Sequence, residues 1–282
     1  MINRSFIDKE LSRDNAKLLI GKDLSGGIKK TRIRIFEVNE DTGEEKFLAE
    51  TSNKVVITGS AITGASMFNI DLPFVIPNYN TELQLENSVT TAPTNPQLIT
   101  LFCVGDSGCG ATDSDIIVPK YVDRIAPVDD IIPFRYCDPN DPDEGDISES
   151  ERAIYFGRKI MDDGNIAYYF KAFDGTPQLF MRYADGTEMD ASMYNVQTTQ
   201  EAECFVKCEL MVNRLDCRQY FEKVIGWDHA RISTISLCTG WYTEQGGYKW
   251  YQNILPFTKL NFAFERLVDS TKALKFEYSL FF

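Results

Sequence analysis

The clearest pattern in the chain is an alternation of apolar and polar residues at its C-terminal end. Over residues 273–282, Leu274, Phe276, Tyr278 and Leu280 share one side, and mostly charged or polar residues occupy the other. Side chains on a β-strand point alternately to opposite faces, so this spacing predicts a strand with one buried face. We therefore expect the last strand to be part of the fold rather than a tail.

A similar period-two pattern recurs along most of the chain from residue 31 onward. Aromatic residues make up 12% of the sequence and fall mainly inside these segments, as is typical of strands. The pattern indicates a mainly β protein, an antiparallel β-sandwich-like domain or domains with a short N-terminal helix and few other helices. The predicted strands are residues 31–38, 53–58, 97–104, 165–173, 177–183, 203–212, 215–221, 231–238, 257–264 and 273–282.

Helical periodicity is clear only near the N-terminus. Ile7, Leu11, Leu18 and Leu19 fall on one side of a predicted helix, and a glycine-containing linker follows. A lone helix of this length is marginal in water unless its apolar side is covered. We interpret residues 1–30 as a helical arm and linker, with the four apolar residues as possible assembly contacts. The alternative, that the arm packs on its own domain, stays open.

An acidic, proline-broken segment at residues 138–153 is the main predicted boundary inside the chain. It separates a first β region, residues 31–137, from a second, residues 154–282. The two regions could form two β domains or one sandwich. Residues 60–70 predict a short helical turn that serves as a connector.

The charge balance narrows the classes of partner. The chain has 42 acidic and 29 basic residues, a net charge of −13, which repels phosphate backbones and anionic membrane surfaces. Direct nucleic-acid binding is therefore not expected. No apolar run approaches the roughly 18 residues of a membrane span, and no signal-peptide pattern is present. We expect synthesis in a reducing cytoplasm, where the seven cysteines, an odd number, remain thiols.

The stretch "LFCVGDSGCG", residues 101–110, contains a GDSG sequence like that around the nucleophile of serine hydrolases. A serine nucleophile needs a positioned base, and the one histidine of the chain, His229, follows Ser107 instead of preceding it as in the chymotrypsin order. The flanking residues also depart from the esterase and nucleophile-elbow patterns. We interpret the glycines as a tight turn with positive φ, and we predict no catalytic residue.

Two segments raise the question of a metal site. Cys204 and Cys208 on one strand would lie about 13 Å apart, too far for two ligands of one zinc ion without a bend. A site that borrows Cys238 and His229 is the alternative. In the acidic segment, an EF-hand alignment puts Pro142 at a ligand position, which a proline side chain cannot fill. We predict no metal and no cofactor.

Acid–base chemistry in a chain with one histidine would fall to carboxylates. The pairs Asp129–Asp130 and Asp162–Asp163 sit beside turn signals, and we interpret them as solvated loop residues. We predict that the protein is not an enzyme. A glycoside hydrolase with two carboxylates far apart in sequence stays open, because their separation is a property of the folded chain.

The three tryptophans Trp227, Trp241 and Trp250 lie close together in the sequence, in a glycine-containing segment rich in tyrosine. Exposed aromatic rings would favour a sugar platform or a partner contact. Packing in the core and in a hairpin is the alternative interpretation.

Taken in order, these elements resemble a family of structural proteins from tailed-bacteriophage virions, found in the tail, neck and baseplate. Four stretches carry the resemblance: residues 51–68, 98–110, 230–242 and 255–282. In such proteins a strand and short helix precede a strand that ends in a Gly/Asp turn. A later strand forms an outward-facing hairpin, and a final strand pair closes the sheet. The Gly/Asp turn here is GDSGCG, so Ser107 matches a turn position.

This resemblance implies a non-enzymatic structural component, assembled as a repeated subunit in the neck, tail or baseplate. The implied partners are other phage structural proteins and further copies of the chain in a homo-oligomeric ring. The implied location is the virion, after synthesis in the host bacterial cytoplasm. Two alternatives stay open: a receptor- or carbohydrate-binding phage module that uses the aromatic segment, and a phage depolymerase or cell-wall hydrolase.

Overall fold

The computed structural model describes residues 30–68, 83–86, 98–111, 117–122, 128–142, 145–194, 202–266 and 271–282. This part of the chain is mainly β, and its paired strands run antiparallel. The predicted mainly β, antiparallel class is confirmed. The predicted N-terminal helix, with Ile7, Leu11, Leu18 and Leu19, lies outside the described residues.

Strands dominate the order of elements in the described residues. The strands are β1 (Lys30–Asn39), β2 (Glu45–Thr51), β3 (Lys54–Val55), β4 (Leu98–Gly105), β5 (Cys109–Ala111), β6 (Ile117–Pro119), β7 (Ile131–Ile132), β8 (Arg135–Cys137), β9 (Tyr155–Ile160), β10 (Ile166–Ala172), β11 (Gln178–Tyr183), β12 (Glu188–Asp190), β13 (Ala202–Val212), β14 (Arg231–Gln245), β15 (Tyr248–Pro256), β16 (Thr258–Arg266) and β17 (Lys272–Phe281). The helices are α1 (Ile57–Phe68) and the single turn α2 (Arg218–Tyr220), which continues as a π-helical turn, Phe221–Ile225. Short 3₁₀ turns occupy Glu151–Ala153, Ala191–Met193 and Trp227–His229. Neither helix has the length and apolar character that a membrane-spanning helix needs.

Two large sheets organise these strands. The six-stranded sheet has the order β12-β11-β13-β17-β1-β2. The nine-stranded sheet follows β3-β16-β14-β4-β10-β8, with β15 paired to β14, β7 to β4 and β9 to β10. Strands from before and after the acidic segment at residues 138–153 contribute to each sheet.

One buried cluster draws side chains from both large sheets. Ile35 and Phe276 come from the six-stranded sheet, and Ile235 and Phe262 come from the nine-stranded sheet. The rings of Phe262 and Phe276 meet edge to face with centroids 5.5 Å apart. The two sheets therefore pack against each other around a shared core.

The prediction for the last strand is confirmed. Leu274, Phe276, Tyr278 and Leu280 all lie in the shared core and are at most 4% exposed. β17 lies between β13 and β1 in the six-stranded sheet, so its backbone is hydrogen-bonded on both sides. Burial of each of these side chains contributes roughly 1.5–3 kcal/mol to stability as an upper bound.

The strand predicted at residues 53–58 is wrong over most of its length. Only β3 is extended there, and helix α1 begins at Ile57, so the predicted turn at residues 60–70 belongs to a longer helix. Ile62 packs on Leu255 of β15. Val55 of this β-branched run is in β3, but the residues from Ile57 onward are helical because tertiary packing outweighs their strand propensity.

The strand predicted at residues 215–221 is also wrong. Cys217 has a left-handed backbone with φ of 61°, and α2 begins directly after it. Cys217 and Phe221 are both fully buried, and their spacing of four places them on one side of a helical turn. Two apolar residues four apart fit both the two-residue period of a strand and the 3.6-residue period of a helix, and here the segment is helical.

Candidate functional site

The hairpin formed by β14 and β15 extends beyond the sheet that holds it. β14 pairs with β4 as far as Gly240, and from Trp241 onward it pairs with β15 alone among the described strands. Gly246 and Gly247 form the turn with φ angles of 63° and 82°, a conformation that glycine adopts without strain. The hairpin therefore projects a ribbon of aromatic residues, from Trp241 to Tyr251, past the sheet.

A groove, here termed the aromatic groove, separates this hairpin from the β9–β10 part of the same sheet. It is open to solvent, and the space within it that a water-sized molecule can occupy is about 40 Å³. Its walls come from β9, β10, β15 and the turn before β9. Its lining residues are Glu86, Arg152, Tyr155, Phe156, Gly157, Arg158, Tyr168, Tyr248, Lys249, Trp250 and Tyr251.

Aromatic rings connect the floor of the groove to the outer surface of the hairpin. The rings of Phe156 and Tyr251 meet edge to face with centroids 4.7 Å apart, and Tyr251 lies 5.4 Å from Tyr242. The Lys249 ammonium lies 4.5 Å from the centre of the Tyr242 ring. Tyr242 is 41% exposed, so this chain of rings ends at the solvent.

Two arginines form the polar wall. The Arg152 guanidinium lies 5.2 Å from the centre of the Tyr248 ring and 3.3 Å from the Asp146 carboxylate. Arg158 pairs with Glu86 and lies 3.9 Å from Asp146. Burial alone would lower the pKa of Arg158, but the hydrogen bond and charge of Glu86 outweigh it and raise that pKa. The carboxylates of Glu86 and Asp146 are thus both paired with arginines.

The tyrosines of the groove are hydrogen-bond donors to carboxylates. The Tyr155 hydroxyl donates to Asp216 at 2.6 Å, and the Tyr248 hydroxyl donates to Glu149 at 2.8 Å. Burial and then the charge of Asp216 raise the pKa of Tyr155, and burial followed by a carboxylate hydrogen bond does the same for Tyr168. The hydrogen bond to Glu149 raises the pKa of Tyr248. At neutral pH these phenols are protonated and cannot act as bases.

Beneath the groove, Tyr155 reaches a buried ion pair. Lys171 Nζ lies 2.8 Å from Asp216 Oδ2, and the two side chains are 1% and 0% exposed. Lys171 also donates to the Met211 carbonyl at 2.7 Å, so a β10 side chain of one sheet contacts β13 of the other. The Asn213 backbone N–H donates to Asp216 at 2.8 Å. This pair fixes the floor of the groove to the opposite sheet.

These contacts define what the groove can do chemically. It offers ring faces, guanidinium planes and phenol oxygens that can accept hydrogen bonds, because the protons of Tyr155, Tyr168 and Tyr248 are already donated to carboxylates. The carboxylate of its lining, Glu86, is paired with Arg158. Such a surface suits recognition by stacking and hydrogen bonding.

The GDSG turn places Ser107 beside Asp106, to whose carboxylate its hydroxyl donates at 3.0 Å. Within the described residues, no hydrogen bond joins Ser107 to His229, which lies in a separate 3₁₀ turn. Residues 106–108 form a short connection between β4 and β5, but the predicted positive φ is wrong, because Gly105, Gly108 and Gly110 all lack it. A Cβ on Gly108 would lie 2.3 Å from the Ser233 carbonyl oxygen, so close backbone approach requires the glycine.

The cysteines and carboxylates singled out in the sequence have structural surroundings. All seven cysteines are free, and the described residues contain no group of three metal-ligating side chains. The interpretation of Asp129 as a solvated residue is wrong. Its carboxylate lies 2.9 Å from the buried ammonium of Lys259 and accepts a hydrogen bond from Asn261 at 2.9 Å. Asp163 accepts a hydrogen bond from Tyr136 at 2.7 Å.

Sequence reasoning found one wall of the groove and missed the other. The aromatic segment around Trp250 pointed to the hairpin, and that ribbon does line the groove. Arg152, Tyr155 and Arg158 belong to no motif and were not singled out. Their sequence signal is weak: aromatic residues flanked by arginines at the start of a short strand.

In comparisons with known proteins, no family model, no curated protein and no solved structure matches this chain.

Proposed function

We propose that this protein is a structural subunit of a tailed-bacteriophage virion, repeated in the neck, tail or baseplate, and that it works through contacts rather than catalysis. The resemblance of four stretches to such proteins supports the class. The β14–β15 hairpin is the observation that carries the proposal, because it projects past its sheet and displays aromatic side chains. Aromatic residues and arginine are enriched where protein partners meet.

The hairpin suits a contact with a neighbouring subunit for a second reason. Tyr251 is held against Phe156, so the rings at the base of the hairpin are positioned before any partner arrives. Tyr and Trp provide large contact areas with few rotatable bonds, and prior ordering lowers the entropy cost of association. A segment of a neighbour that enters the groove would meet rings on one side and guanidinium groups on the other.

Quantitative mass spectrometry of purified particles tests this proposal. The particles are prepared from a host strain that carries the coding sequence, separated on a density gradient, and compared fraction by fraction. The proposal expects peptides of this protein to co-migrate with intact particles at a constant ratio of several copies per particle. Recovery only in the soluble lysate, or a ratio that varies between fractions, would overturn it.

A receptor- or carbohydrate-binding module is the second candidate, and the open aromatic groove is the observation that favours it. Sugars stack their apolar faces on aromatic rings, and the phenols and guanidinium groups of the wall could bond their hydroxyls. A glycan array with the full chain tests this candidate. Specific binding that Trp250→Ala abolishes supports it, with Tyr121→Ala, an 81% exposed ring outside the groove, as the matched control. If no glycan binds, this second candidate is rejected and only the structural proposal remains.

A further inference from the structure

A second concave surface lies on the face of the six-stranded sheet that points away from the shared core. It is lined by the start of β1, by the last residues of β2 with the residue that follows, and by one side chain of β11. This surface, here termed the cationic concavity, consists of Lys30, Thr31, Arg32, Glu50, Thr51, Ser52 and Arg182. It is separate from the aromatic groove, with which it shares no lining residue.

Three cations of the concavity converge on one aromatic ring. The Lys30 ammonium lies 4.6 Å from the centre of the Phe281 ring, and the guanidinium carbons of Arg32 and Arg182 lie 6.0 and 5.9 Å from it. The ring itself is stacked on Phe205, with centroids 4.8 Å apart. Strand register produces this arrangement, since Lys30 and Phe205 lie directly opposite Phe281 on the two neighbouring strands.

The nearby carboxylates do not balance these charges. Glu188 is shared between Arg32 at 2.9 Å and Lys207 at 2.6 Å. Burial would raise the pKa of Glu188, but hydrogen bonds from these two cations outweigh it and lower the pKa. One negative charge is therefore shared between two cations. Lys30 has a looser partner, Glu203 at 3.7 Å, with both side chains about half exposed.

Arg182 lies directly opposite Glu188 and Glu203 in the strand register, but it pairs with neither of them. No carboxylate of the described residues lies within ion-pair distance of Arg182, whose guanidinium lies over the Phe281 ring. Glu50 on the rim is the one acidic residue of the lining. Mutual repulsion between these neighbouring cations is a cost that a bound anion would remove.

We propose that the cationic concavity is a binding site for an oxyanion, a carboxylate or phosphate group that Arg182 and Lys30 contact through charge-assisted hydrogen bonds. The guanidinium of Arg182 presents paired donors that match either group in a bidentate geometry. The hydroxyls of Thr51 and Ser52 on the same lining can donate to the remaining oxygens. The anion is either free phosphate or a carboxylate of an acidic polypeptide.

Isothermal titration calorimetry with the full chain tests this site, with inorganic phosphate and tetraglutamate as separate probes. Chloride keeps the ionic strength constant, so a general salt effect does not register as binding. The expected result is saturable binding of at least one probe at one site per chain. The tighter of the two probes identifies the source of the anion.

Two variants with opposite expected effects on binding keep the proposal falsifiable. Arg182→Gln should weaken binding about tenfold or more, as expected for loss of a charge-assisted contact. Glu203→Gln should tighten binding, because it releases the half-exposed Lys30 while preserving side-chain size. Arg214→Gln is the control, since it removes an equal charge that pairs elsewhere with Glu40 and Asp41.

Absence of saturable binding for both probes would overturn the proposal and assign the three cations to their contacts with the Phe281 ring and with Glu188 and Glu203. So would binding that Arg182→Gln and Glu203→Gln leave unchanged. If Arg182→Gln fails to fold, Glu203→Gln decides the matter by itself. The virion proposal does not depend on either result.

Discussion

Replacement of Lys171 by methionine should destabilise the protein more than any surface charge change. The substitution preserves most of the apolar volume of the side chain and removes its ammonium group. It leaves the Asp216 carboxylate buried with two donors, the Tyr155 hydroxyl and the Asn213 backbone N–H. The Met211 carbonyl loses its donor as well.

The magnitude follows from the geometry of the pair. At the 2.8 Å separation of Lys171 Nζ and Asp216 Oδ2, the lost attraction is about 6 kcal/mol at an effective dielectric constant of roughly 20. The two remaining donors offset part of this loss, and the new methionine avoids the cost of burying an ammonium. We expect a net decrease of about 3–5 kcal/mol in the free energy of unfolding, the range seen when one partner of a buried pair is removed.

Urea unfolding followed by tryptophan fluorescence and circular dichroism measures this loss. Lys272→Met is the matched control, because Lys272 forms a 3.0 Å pair with Glu37 while 38% exposed, and such pairs contribute about 0–1 kcal/mol. The double variant Lys171→Met with Asp216→Asn should lose less than the two single changes combined. If Lys171→Met costs no more than the control, the pair does not hold the two sheets together and the reasoning fails.

Four further predictions concern other parts of the fold. Gly108→Ala should lower the melting temperature strongly, whereas Gly110→Ala, where a Cβ meets nothing closer than 3.8 Å, should leave it nearly unchanged in the same scanning calorimetry. A fluorophosphonate probe should not label folded protein at Ser107; stoichiometric labelling lost in Ser107→Ala would contradict this. Burial, and to a smaller extent the charge of Asp130, raises the pKa of Asp106 in the folded protein. Above this raised pKa the ionised Asp106 carboxylate therefore lowers the free energy of unfolding. Asp106→Asn should therefore stabilise the protein at pH 7, with a gain that shrinks as pH falls below the raised pKa; a gain independent of pH would refute the linkage. Deletion of residues 273–282 should abolish cooperative unfolding, and an unchanged midpoint would show that β17 is dispensable.

The central strands could be predicted from the sequence because each has two unlike faces. β13 and β17 alternate between core and outer face, and their predicted bounds agree with the structure within a residue. β2 was missed because it is an exposed edge strand, charged on both faces, so burial imposes no alternation on it. The error at residues 215–221 arose because two buried residues four apart fit both a strand and a helix.

The candidate site was predictable only in part, for a physical reason. The hairpin wall lies within one short segment, so its aromatic residues appear together in the sequence. The opposite wall depends on how β9 pairs with β10, which follows β14 and β4 in the sheet order, and this brings Arg152 and Arg158 next to residues far along the chain. The cationic concavity likewise depends on the register of β1, β17 and β11, and no local pattern encodes it.

Size-exclusion chromatography with light scattering on the full chain tests most directly whether the protein works by assembly. We predict a defined mass that is a multiple of the 32.1 kDa chain and that falls to one chain when Tyr242→Ser and Trp250→Ala are combined in the hairpin, with the melting temperature retained. A mass of 32.1 kDa for the unaltered chain at every concentration would contradict self-assembly through this surface.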